Sequence, residues 1–199
     1  YGMLVMLPAT HLVPADTAGM VQDVGRYQSG VDSCIQEVAE DVTRAGFLCA
    51  ADPRPMRWKY AKLLQNLGNA FQAVCSPGPH DRDVMSLVRQ EALACYAAAN
   101  IDCATKEEVK TRHSVITMGS IDGIEHGGGS SWQSLSRGTG DIEADYLNGE
   151  ICLLGQQQGV PTPANEVLRY LANQAAYHRT APGQFNATQI TAMIAELAH

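Results

Sequence analysis

The stretch IEADYLNGEICLLGQQQGVPTPANEVL, residues 142–168, decides how the second half of the chain folds. Leu147, Ile151 and Leu154 recur at helical spacing, so one helix is expected from about Asp141 to Gln156. The glycine and prolines of GVPTP, residues 159–163, stop it, and another helix is expected from about Ala164 to His178. Glu143 falls on the face of Leu147, Ile151 and Leu154, which sets a carboxylate at the end of an apolar stripe. Desolvation there is unfavourable unless the charge has a partner, and a lysine is the natural one.

Working outward, SSWQSLSRGTGD at 130–141 carries a short helix near Ser131–Leu135, closed by Gly138 and Gly140. Ser131 stands twelve residues before Glu143. A continuous helix would hold the two roughly 18 Å apart, but the glycines let the chain turn and bring both side chains to one small ligand. The spacing suits a plain N-cap role for Ser131 equally well. Further upstream, KYAKLLQNLGNAF at 59–71 belongs to a helix expected from about Met56 to Val74, with Ala61, Leu64, Leu67, Phe71 and Val74 on one face. Lys62 and Asn66 lie one turn apart on the same side, flanked by Trp58 and Asn69. Taken alone, that polar stripe also fits a solvated face. Helices over about Asp81–Ala99 and Thr188–Leu197, and a third opened by the capping box in TKEE at 105–108, make residues 53–199 an all-α domain.

Residues 1–52 have another character. Met, Leu and Val surround Pro8 between Gly2 and Val13, MVQDVGRY at 20–27 alternates, and FLCAA at 47–51 is strand-like. Between the last two, Ile35, Val38, Ala39, Val42 and Ala45 keep helical spacing, with Asp32 as N-cap and Gly46 as the stop. The order strand, strand, helix, strand is that of one end of an α/β domain. The fold class is thus α+β, and the chain's opening at Tyr1 rather than Met leads us to expect sequence upstream.

A formal net charge of −7 with no Lys/Arg run disfavours a nucleic-acid or anionic-membrane partner, since each needs a concentrated basic footprint. The opening YGMLVMLPATHLV lacks a basic start and is broken by Pro8, so we expect neither signal peptide nor membrane span, and a cytoplasmic location. Six scattered cysteines without a CxxC pair read as buried reduced thiols, and the histidines lack metal-ligand spacing. HGGGS at 126–130 has the look of an esterase oxyanion hole, but no G-x-S-x-G elbow accompanies it.

The order W-x-x-x-K-x-x-x-N at 58–66, SSWQS at 130–134 and IEADYLNGEICLLGQQQGVPTPANEVL resembles the ketopantoate reductase (2-dehydropantoate 2-reductase) family over nearly the whole chain. The resemblance implies a two-domain NADPH-dependent reductase of a 2-oxo acid, of the kind used in pantothenate biosynthesis. Residues 1–52 would be the C-terminal part of its Rossmann-type nucleotide domain and residues 53–199 its helical substrate domain. It casts Lys62 as general acid, Glu143 as the group that holds the substrate hydroxyl and keeps Lys62 in place, and Asn66 and Ser131 as substrate-binding donors. No G-x-G-x-x-G occurs in the chain, so the NADPH turn is expected upstream of Tyr1. Ala70 stands where the family tends to place a second asparagine, and none stands near Pro79, which turns the expectation toward a relative of ketopantoate. A homodimer is compatible with the exposed helical faces. The rival reading from another class is a non-catalytic helical interaction module, and a third keeps the fold but acts on a different 2-oxo acid or an imine.

Overall fold

The computed structural model describes residues 21–114 and 129–198; the strand expected within 2–13 and most of HGGGS lie outside them. Contacts divide the described chain into two compact units, one running to Lys62 and resuming at Asp102, the other made of Leu63–Ile101 and residues 129–198. This division runs through a helix rather than through the Pro-rich joint near residue 53.

In the first unit, β1 (Val21–Val24) and β2 (Leu48–Ala51) pair in parallel, with Val21 opposite Leu48 and Val24 opposite Ala51. Parallel neighbours need a crossover, and α1 (Ser33–Arg44) supplies it. Asp32 caps α1 as expected, its carboxylate accepting from the Ile35 N–H at 3.0 Å. Ile35 and Ala39 bury against Val24, whereas Val38, from the same expected face, is exposed. α2 (Pro55–Asn66) begins on a proline, whose missing N–H is harmless at a helix start. The Thr105–Glu108 capping box opens α5 (Lys106–His113). Arg57 on α2 ties the two helices by donating to both Glu108 oxygens at 3.0 and 2.9 Å. Arg112 on α5 grips Asp23 on β1 in the same forked manner.

The second unit is all helical. Its chain runs through the end of α2, α3 (Gly68–Val74), α4 (Asp81–Ala98), α6 (Ser130–Ser136), a 3₁₀ turn at Glu143–Tyr146, α7 (Asn148–Gln158), α8 (Pro163–Tyr177) and α9 (Ala187–Leu197). α8 lies at its centre, packed on α3, α4, α7 and α9. Leu168 and Ala172 of α8, Val84 and Val88 of α4, Ile151 of α7 and Ile190 of α9 are all fully buried.

Two expected helices are broken. The Met56–Val74 helix divides at Leu67, where Gly68 lets the chain approach α4 so closely that a Cβ there would sit 3.1 Å from Met85 Cε. The Asp141–Gln156 helix divides at Leu147, whose backbone leaves the helical region at φ −109°, ψ −85°. Glu143 therefore belongs to a 3₁₀ turn and is exposed, and it does not close an apolar stripe. Among the cysteines, all free, Cys75, Cys95 and Cys152 are buried as expected, but Cys34 is exposed.

Candidate active site

The second unit brings Ser131 and Glu143 to one cavity. It measures about 340 Å³, within the usual range for a small-molecule site, and Ser134, Arg137, Thr139 and Asp141 line it with them. The return of the chain is built at the end of α6. The Thr139 N–H donates to the Ser134 carbonyl at 3.2 Å and the Gly138 N–H to the Leu135 carbonyl at 3.0 Å, the paired closure that needs a left-handed residue between them. Gly138, at φ +60°, provides it, and Gly140 at φ +81° continues the reversal. These are the two glycines that the spacing argument required.

Ser131 is not an N-cap: Gly129 holds that place, and its N–H donates to Gln72 Oε1 on α3 at 2.7 Å. Ser131, the second residue of α6, is 3% exposed and forms part of the cavity wall. Glu143, after the reversal, lines the same cavity, and its carbonyl accepts from the Leu147 N–H at 3.1 Å. Arg137, Ser134, Thr139 and Asp141 were not singled out from the sequence, although all fall in the same twelve-residue interval.

Lys62 and Asn66 lie on α2, one turn apart, both half-buried. Burial pulls the Lys62 ammonium below the ordinary lysine pKa, and no acidic group pairs with it among the described residues. A carboxylate partner would have the opposite effect. Asn66 is not among the residues lining the Ser131–Glu143 cavity.

The turn between β1 and α1 does not fit a nucleotide phosphate. A phosphate seats on free N–H groups at a helix start. Here the Asp32 carboxylate already occupies the first turn of α1, and Arg26 pairs with it at 2.6 Å. No cluster of His, Cys, Asp or Glu among the described residues suits a metal ion. Among the described residues no helix is long and apolar enough to cross a membrane.

The described chain thus combines a parallel strand pair crossed by one helix with a helical unit in which Ser131 and Glu143 line one polar cavity. The family described as "Ketopantoate reductase PanE/ApbA C terminal" matches residues 54–176, and the chain belongs to it. The fold is similar to that of the PanE/ApbA family ketopantoate reductase from Ralstonia eutropha JMP134, at 23% identity and TM-score 0.61 over 80% of this chain and 52% of that one. The 2-dehydropantoate 2-reductase from Methylococcus capsulatus gives 17% and 0.62 over 83% and 53%. D-mandelate dehydrogenase, in its ternary structure with NADH and anilino(oxo)acetate, gives 17% and 0.61 over 81% and 68%. The chain spans about half the length of the two ketopantoate-reductase-type structures.

Proposed function

We propose that this chain is the substrate-binding part of a reductase that converts a 2-oxo acid, ketopantoate or a relative of it, to the 2-hydroxy acid. Such a reduction draws its hydride from a nicotinamide nucleotide, NADPH on the family resemblance, held outside the described residues. The observation that carries the reading is the convergence of Ser131 and Glu143 on one cavity across a purpose-built reversal, on a chain of this family. A second support is the half-buried Lys62, which has no acidic partner among the described residues.

Each residue then has a definite task. The lowered proton affinity of Lys62 makes its ammonium a better acid near neutral pH, and its positive charge stabilises an alkoxide forming at the substrate oxygen. Asn66 and Ser131 donate hydrogen bonds to the carboxylate and carbonyl oxygens, which fixes the angle of attack. Glu143 accepts from the substrate hydroxyl, a role suited to an accessible carboxylate rather than a desolvated one. Ala70, buried on α3, offers no hydrogen bond, so a ligand that relies on a donor there loses it.

The test is a panel of 2-oxo acids assayed with NADPH and with NADH, using the natural polypeptide that carries residues 1–199. The reading expects reduction of at least one 2-oxo acid, with ketopantoate not the best by a wide margin. No reduction of any member would sink the enzyme reading and favour the interaction module; a wide preference for ketopantoate would sink only the substrate assignment.

A further inference from the structure

The two broken helices meet at one side chain. Asn148, the first residue of α7, is fully buried, and its amide nitrogen donates to the Leu67 carbonyl at 3.3 Å and to Asn165 Oδ1 at 3.0 Å. Leu67 is the residue at which α2 gives way to α3, and Asn148 directly follows Leu147, at which the 3₁₀ turn gives way to α7. One amide thus bridges the two interruptions of the chain. On one side of it Asn66 immediately precedes Leu67; on the other, Glu143 is bonded through its carbonyl to Leu147.

The bridge is itself anchored. Asn165, also fully buried, donates from Nδ2 to the Val88 carbonyl at 3.1 Å and to Glu91 Oε2 at 2.7 Å. Glu91 in turn caps the start of α8, accepting from the Ala164 and Asn165 N–H groups at 2.8 and 3.0 Å. Asn148 Oδ1 is buried with no donor among the described residues. An orphaned buried acceptor is destabilising, yet Asn148 keeps one while supplying the hydrogens that the Leu67 carbonyl and Asn165 Oδ1 accept. What Leu or Met cannot do is donate to Leu67 and Asn165 at once.

We infer that Asn148 is a positioning residue for the reduction, holding the Asn66-bearing end of α2 and the Glu143-bearing turn in a fixed relation through the chain Leu67–Asn148–Asn165–Glu91. The inference rests on the proposed roles of Asn66 and Glu143. Asn148 touches no reacting atom and acts through where those two are placed.

A double-mutant cycle on the natural polypeptide separates positioning from plain stability. Asn148→Ala is expected to lower kcat/KM for the 2-oxo acid by about tenfold or more while leaving the nucleotide KM unchanged. In a Glu143→Gln background the same substitution is expected to have a several-fold smaller catalytic effect, while its effect on the melting temperature stays the same. Glu91→Gln, which keeps an acceptor oxygen, gives a milder version of the cycle should Asn148→Ala not fold: a smaller loss in kcat/KM, again reduced in the Glu143→Gln background. If Glu143→Gln impairs turnover but the catalytic factors simply multiply, Asn148 is structural only and the inference falls while the site stands. If Glu143→Gln leaves turnover unchanged, the reading of the site falls and the inference with it.

Discussion

Two cations on α2 receive opposite treatment. Arg57, near the start, is forked onto Glu108, and its Nε lies 2.8 Å from Asp102 Oδ2, an ion-pair distance although off-line for a hydrogen bond. Its hydrogen bonds to Glu108 and its ion pair with Asp102 raise its pKa, and the Arg57 bonds, with the Thr105 N–H, lower Glu108 to about 2. Lys62, five residues on, is half-buried, unpaired among the described residues, and pushed the other way by desolvation alone. Arg57 is held by two carboxylates, whereas Lys62 has no acidic partner among the described residues; on the proposed reading, that contrast separates a scaffold cation from one placed to give up a proton.

The contrast breaks most visibly in rate. Lys62→Met in the natural polypeptide is expected to lower kcat by about 10²-fold or more, because the substitution keeps the apolar stem and deletes the acid. Arg57→Met is expected to do the reverse, changing kcat by less than about threefold while lowering the melting temperature by a few degrees. Its pH dependence identifies the cause. Glu108 is depressed in the folded state, so the stability it contributes is present above about pH 4.5 and is lost as pH falls toward about 2. Without Arg57 that acid limb flattens, which a melting series across pH will show.

A smaller effect separates the two in stability near neutral pH. Lys62 is a base whose folded pKa lies below 10.5, so within that window the unfolded chain holds a proton that the folded chain has given up. Stability therefore rises with pH through the window, and below it the charged ammonium weighs against the fold. Lys62→Met is expected to be slightly the more stable form at pH 7, with the advantage fading as pH passes 10.5. Partial solvation keeps the difference small. Smallest of all, Lys106→Met on the exposed first turn of α5 is expected to shift stability by no more than ~0.5 kcal/mol and to leave kcat unchanged.

Signals contained within a few residues were legible in the sequence: the Asp32 cap of α1, the Thr105–Glu108 box, and the Gly138–Gly140 reversal that brings Ser131 to the cavity of Glu143. What failed depended on distant partners. The breaks at Leu67 and Leu147 lie inside runs with good helical periodicity, and only Gly68 hinted at the first. The Leu67 carbonyl is met by Asn148 from 81 residues away, and Asn165 by Glu91 from 74, separations at which no spacing rule operates. For the same reason Glu143 was expected beneath an apolar stripe, since that face exists only if the helix is continuous. Nothing local in the sequence marks Arg57, because its acceptor Glu108 stands 51 residues on.

The protonation of Lys62 itself is the most direct measurement. With lysine labelled at the ε carbon, its titration can be followed by NMR and assigned by the loss of one resonance in Lys62→Met. The account predicts a Lys62 pKa below 10.5. A Lys62 that titrates at or above 10.5 would mean that it is solvated or paired like Arg57, and would contradict the claim that α2 keeps it as an acid.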